Sequence, residues 1–248
     1  LPAAKVSRIE TARIGVKADD LDALLDLYGV DDVAKRALLH SLSREGSKRG
    51  WWQPYRDTIT PAYADLISLE AEASSFSSYQ TSLIPGLLQA PAYARATISA
   101  LNVALSADQV SALVDVRTAR QSVLTRPEPL ELWAIVHEAA LHPRLTAPGA
   151  MRDQLQHLLD RRDLPNVSIQ VLPLNAEPHP GLQGPFTVIG FPESADLDVA
   201  LLESLTAMLY VEDPGDVATY RNAFEHLRAT ALPLEASADL IKQVKDNL

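Results

Sequence analysis

Apolar residues recur every three or four positions through the first two thirds of the chain, and the period then shortens to two. Residues 3–12 set Val6 and Ile9 on one side of a short helix, with Lys5 and Arg8 beside them. Residues 18–28 place Leu21, Leu24, Leu25 and Tyr28 on one stripe, an amphipathic helix stopped at Gly29. Asp31 or Asp32 stands where a third helix needs its cap, with Leu38, Leu39 and Leu42 inward and an end near Gly46 or Gly50. Residues 48–54 read as a boundary. Three short helices thus form one module, 1–50, ahead of a second domain, 51–248.

In the second domain a helix is predicted from Pro61 to about Phe76, then an irregular stretch from Tyr79 to Gln89 broken by Pro85-Gly86, then a helix over 91–101. Ser106 and Gln109 have capping-box spacing and open a helix to about Leu124. Residues 130–136 form a strand candidate. Residues 146–162 are amphipathic, with Met151, Leu155, Leu158 and Leu159 on one face. Val167, Ile169 and Val171 alternate with polar residues, a half-buried strand, and 184–191, 199–205 and 208–211 supply three more. Asp213-Pro214 starts a helix with a Val217, Tyr220, Phe224 and Leu227 stripe; Leu234, Ala238, Ile241 and Val244 mark the last one. Helices first and strands clustered later predict an α+β fold, mostly helical with a small antiparallel sheet. The helices over 147–162 and 213–231 are the expected covers of one sheet face.

Composition narrows the function classes. Hydrophobic residues are 47% and charged residues 22%, ordinary globular usage. There is no cysteine, hence no disulfide framework, thiolate nucleophile or cysteine-based zinc site, which fits a reducing cytoplasm. The apolar runs are too short to span a bilayer, so no membrane role is expected. The net charge is −10, which repels nucleic acid overall. Its distribution is uneven. Residues 1–17 hold Lys5, Arg8, Arg13 and Lys17 against Glu10 alone, whereas 18–34 hold Asp19, Asp20, Asp22, Asp26, Asp31 and Asp32 with no cation. Nucleic-acid contact is therefore confined to the first segment.

Lys5-Val6-Ser7-Arg8-Ile9-Glu10 has the polarity of a groove reader: apolar residues inward, and a cation that can bond guanine bidentately outward. Followed by Arg13, Val16 and the leucine helix, it resembles the recognition helix of lambda-repressor-like (Xre-type) helix-turn-helix regulators. The resemblance continues through Arg49-Gly50-Trp51-Trp52, Glu70-Ala71-Glu72-Ala73, Pro85-Gly86-Leu87-Leu88-Gln89, Pro165-Asn166-Val167, His179-Pro180-Gly181, Gly184-Pro185-Phe186 and Glu212-Asp213-Pro214. These are similar to an actinobacterial subgroup of the WhiJ kind, with a large C-terminal domain of unassigned role. The resemblance implies DNA contact by Lys5, Ser7, Arg8, Thr11 and Arg13. It also implies a homodimer and an antitoxin-like pairing with a small partner protein encoded nearby. The family's module has two helices before the recognition helix, and the chain as given starts after them. Pro2, Ala3 and Ala12 depart from the family's usual Ser, Gln and Gly.

Other motifs are weaker. His137 and His142 are five apart, the wrong spacing for a helical metal pair, so no metal site is expected. No phosphate loop, nucleophile elbow or catalytic carboxylate pair is evident, so no catalytic residue and no cofactor is assigned, and the acidic residues are placed on helix surfaces. The Pro85–Gln89 loop is apolar for a loop, hence either packed or a contact surface. Loop 174–184 is rich in polar residues. With Trp133 and Phe186 as apolar lining and His179 and Gln183 as polar groups, it is a candidate effector pocket; the bland reading is a solvated hairpin loop. Two functions stand: a DNA-binding transcription regulator whose C-terminal domain senses a ligand or partner, and a small-molecule-binding protein or enzyme that has lost DNA binding. The departures at Pro2, Ala3 and Ala12 and the acidic balance support the second.

Overall fold

The computed structural model describes residues 1–2, 5–6, 9, 16–46, 52–143, 145, 147–192, 197–205 and 207–248. The chain forms two compact units, Leu1–Pro54 and Tyr55–Leu248. The boundary expected at 50/51 lies outside the described residues.

In the first unit, α1 (Ala18–Leu27) buries Leu21, Leu24 and Leu25, the stripe its spacing predicts. Tyr28 was expected on that stripe, but it falls past the last helical residue and is exposed. Gly29 takes φ +66, the left-handed conformation that stops a helix most cheaply with glycine. Asp32 caps α2 (Val33–Gly46) by accepting from the Lys35 amide at 3.0 Å. Leu39 is half-buried; the side chains of Leu38 and Leu42 lie outside the described set.

The second unit is α+β, as the order of elements predicts, with α3 (Pro61–Glu72), β1 (Ser75–Gln80), α4 (Pro91–Leu101), α5 (Ala107–Arg120) and β2 (Glu131–His137) leading. There follow α6 (Ala150–Arg161), β3 (Val167–Leu172), β4 (Phe186–Gly190), β5 (Val199–Glu203), β6 (Met208–Val211), α7 (Pro214–Thr230) and α8 (Leu234–Asp246). The sheet corrects the antiparallel expectation. It has six strands in the order β3-β2-β1-β4-β5-β6, with β1, β2 and β3 parallel and the β1–β4, β4–β5 and β5–β6 pairs antiparallel.

The reason is β1, which the pattern missed. The predicted helix does not run to Phe76; it ends at Glu72, and Ala73 already has extended backbone. Ser75-Phe76-Ser77-Ser78 lacks the β-branched residues that mark strands. Yet β1 is central, holding β2 on one side and β4 on the other. Its small residues are accommodated by tight cross-strand fits: the Ser78 and Thr187 hydroxyls pair at 3.1 Å, and Gly190 leaves room for the Ser75 hydroxyl, which would have to turn away from a Cβ there.

Both sheet faces are covered. Phe76, Leu132, Val136, Ile169 and Val171 pack in one core with Leu155 and Leu158 of α6 and Ile241 of α8. Tyr79, Ile135, Phe186 and Val188 pack in another with Val217, Phe224 and Leu227 of α7. The helices expected to share one face therefore lie on opposite faces. The edge of β3 is closed by the chain that enters α8: Leu232 donates to Val171 O, and the Val171 amide donates to Ser237 Oγ, both at 2.9 Å. Among the described residues no helix is long and apolar enough to cross a membrane.

Candidate functional site

The expected DNA-reading residues are only partly in view. Ser7, Arg8, Thr11 and Arg13 lie outside the described residues. Lys5, Val6 and Ile9 are helical. Lys5 Nζ sits 2.7 Å from Asp20, whose side chain is only 12% exposed, so this cation has a resident carboxylate on α1. A phosphate contact by Lys5 requires that Asp20 release it. Between α1 and α2, Arg36 donates to Val30 O at 3.0 Å and meets Asp22 at 3.2 Å and Asp26 at 2.8 Å; His40 joins Asp22 at 2.8 Å. The hydrogen bond from His40 does most to lower the Asp22 carboxyl; desolvation opposes it, and the Arg36 hydrogen bond and the two neighbouring charges leave the group below its ordinary value.

In the second unit the loop between β3 and β4 is not a hairpin, because β2 and β1 stand between those strands. It crosses the sheet end and presses onto Tyr79. Gly181 is required there, since a Cβ would lie 2.5 Å from the tyrosine ring. His179 stands edge-on to Tyr79 at 6.3 Å, and Phe186 lies 6.0 Å from Tyr79 and 5.2 Å from Tyr220. The His179 Nδ1 is buried without a hydrogen-bond partner. Burial, then the neighbouring His137 and His226, push its pKa down.

The other two expected pocket residues are elsewhere. Trp133 donates from Nε1 to Gln170 Oε1 at 2.8 Å and lies under the Arg228 guanidinium at 4.4 Å. Arg228 is eight positions beyond Tyr220 on α7, about 12 Å along the helix. Gln183 is exposed. The structure thus brings His179 and Phe186 together on Tyr79, packs Trp133 against the same apolar cluster but beside Arg228, and leaves Gln183 exposed.

A different constellation, missed in the sequence, lies on the other side of the sheet. Glu70 of α3 is 1% exposed, not on a helix surface. It accepts from Arg120 of α5 through both carboxylate oxygens: Nε to Oε2 at 2.8 Å, and Nη2 to Oε1. Arg120 Nη1 donates to the Tyr63 hydroxyl at 2.6 Å. The guanidinium's own burial works against its charge, but Glu70 and Tyr63 hold it firmly protonated. Burial raises the Tyr63 phenol, yet the Arg120 and Arg117 charges more than offset this and bring it below the ordinary tyrosine value.

Beside the triad is a cavity of about 170 Å³, reaching from Glu70, Arg120, Ser78 and Thr187 on the floor to exposed Glu203 and Leu101 at the rim. The apolar Pro85–Gln89 loop forms part of its wall and is packed: Leu87 and Leu88 are buried, and Gln154 ties Leu88 O and the Ala90 amide, both at 2.7 Å. The only hints in the sequence were Glu70 and the Pro85–Gln89 loop within the family resemblance; nothing in spacing paired Glu70 with Arg120, fifty positions away.

Among the described residues no cluster of three or more histidines or carboxylates could hold a metal ion. His137 instead caps a short 3-10 turn, accepting from the Ala139 amide, and His142 faces Glu138 at 3.9 Å. No curated protein matches the chain. No solved structure matches it either. Residues 1–39 match a helix-turn-helix domain, the region that contains Lys5, α1 and the start of α2. Residues 63–243 match a domain of unknown function (DUF5753), from Tyr63 of the buried triad to near the end of α8. That match spans most of the chain, which therefore belongs to the DUF5753 family and carries a helix-turn-helix domain at its N-terminus.

Proposed function

We propose that the chain is a DNA-binding transcription regulator of the Xre type, working in the cytoplasm as a homodimer. Its C-terminal unit receives the signal, from a small-molecule effector or from a small antitoxin-like partner protein. The observation that carries this reading is the helix-turn-helix match over 1–39, whose first 17 residues hold four cations against one carboxylate. The motif order resembles that of regulators of the WhiJ kind. Two recognition helices on a two-fold axis would read paired half-sites, and a change in dimer geometry would move them in or out of spacing.

The test is selection of a binding sequence from random DNA by the full-length protein, followed by a salt series. Arg8→Ala should cost about 1–3 kcal/mol on the selected sequence and relax the preference. Lys5→Ala should weaken all sequences evenly. Equal affinity of wild type and Arg8→Ala would overturn the recognition-helix assignment, and a concentration-independent monomer by light scattering would overturn the dimer.

The pairing of Lys5 with Asp20 favours a second reading, a small-molecule-binding protein without DNA affinity. The same selection decides: recovery of no preferred sequence, with no salt-dependent retention, supports it.

A further inference from the structure

The cavity beside the buried triad holds a guanidinium that, among the described residues, makes no ion pair. Arg120 is neutralised by Glu70 inside the protein. Arg117, one turn earlier on α5 and also lining the cavity, is different. Its Nη1 donates to the neutral amide of Gln89 at 2.8 Å, and its Nε is buried with no hydrogen-bond partner. Among the described residues no carboxylate lies within ion-pair distance of it. Arg117 is half-buried, so a charge drawn partly from water and an N–H donor without a partner carry a cost that an arriving anion recovers. Glu203, the remaining carboxylate on the wall, is exposed at the rim and screened by solvent. The lowered Tyr63 phenol reports the same field, since the two guanidiniums outweigh its burial.

The rest of the lining sets size and chemistry. Leu66, Phe76, Leu132 and Leu201 give apolar walls, and the Ser78 and Thr187 hydroxyls give polar points on the floor. A cavity of roughly 150 Å³ accommodates one benzene ring. The space of about 170 Å³ therefore takes a single ring or short chain with a small head group, and excludes a nucleotide or a peptide.

We propose that this cavity binds a small organic carboxylate, its head on Arg117 and its apolar body against Phe76 and Leu132. The site would supply the effector that the regulator reading calls for, but it rests on the C-terminal unit alone, and its test involves no DNA.

The experiment is calorimetric titration and thermal shift of the full chain with sodium benzoate, with butyrate as a chain-shaped probe and benzamide as the neutral isostere of benzoate. Benzoate or butyrate should bind at one site per chain and raise the melting temperature. Benzamide should bind at least about tenfold more weakly than benzoate, the effect of losing a charge-assisted bidentate contact. Arg117→Gln should erase that discrimination, while Arg95→Gln, on the exposed α4–α5 surface, should keep it. Binding of neither carboxylate, equal binding of benzamide, or unchanged benzoate affinity in Arg117→Gln with an unchanged circular dichroism spectrum would each overturn the site. The carboxylate–amide comparison uses wild-type protein, so it stands even if the variant fails to fold.

Discussion

The two units use the same bond, arginine to carboxylate, in opposite settings. In the N-terminal unit Arg36 meets Asp22 and Asp26 with their side chains 51% and 70% exposed. In the C-terminal unit Arg120 and Glu70 are 6% and 1% exposed. The first network orients a corner in high dielectric and contributes little to stability. The second is closed off from water, so each partner depends on the other. The cores differ in parallel. Among its described residues the N-terminal unit buries three leucines and leaves Leu27 and Val33 exposed, whereas the C-terminal unit buries both faces of a six-stranded sheet. A small module held by few apolar contacts opens at low cost, and a two-faced core opens only as a whole.

The largest effect expected from this contrast is at Glu70. Glu70→Ala should destabilise the C-terminal unit by about 3–5 kcal/mol, because Arg120 is left charged and buried. Denaturant titration of the full chain measures it; a loss under about 1 kcal/mol would place the buried pair with the exposed ones and end the comparison.

Leu24→Ala comes next. Truncating a buried leucine should cost about 2–3 kcal/mol, the lower end of the usual range, since a small module relaxes around the gap. Hydrogen exchange should speed up across α1 and α2 and leave α5 amides unchanged. Faster exchange in α5 would mean that the units unfold together.

Helix caps give a smaller, more even test. Asp213 accepts from the Gly215 and Asp216 amides at 2.9 and 3.1 Å, and Asp32 accepts from the Lys35 amide at 3.0 Å. Removal of each by alanine should cost about 0.5–2 kcal/mol, read from separate unfolding transitions. A loss near zero at either position would show that water replaces the cap there.

The smallest effect is in pH. Asp22 has a folded pKa below its unfolded one, so its ion pairs stabilise the N-terminal unit above the ordinary aspartate value and lose that contribution as pH falls through the folded value. Wild type should exceed Asp22→Asn in stability at neutral pH, and the gap should close on acidification. A gap that persists in acid, followed by circular dichroism, would assign the role of Asp22 to packing.

How much of this was legible differs by region. The α1 stripe, the Gly29 stop, the Asp32 cap, the Ser106–Gln109 capping box and the strands β2 to β6 follow from local rules, because each depends on residues within one or two turns of each other. Function at the N-terminus came from motif order, which is also a local signal. β1 was not legible, since its serines carry no strand signature and it is a strand only because β2 and β4 offer hydrogen bonds on both sides. With β1 unseen, the parallel half of the sheet and the separation of α6 from α7 could not be read. The pocket residues show the same divide. Trp133, His179, Gln183 and Phe186 were grouped by residue type and by nearness to strands, but strand order sets Trp133 and Phe186 at different levels of α7. Glu70 looked like one more surface carboxylate. Only the packing of α3 against α5 removed water from around it and gave it Arg120, and a long-range electrostatic pair of that kind has no spacing to reveal it beforehand.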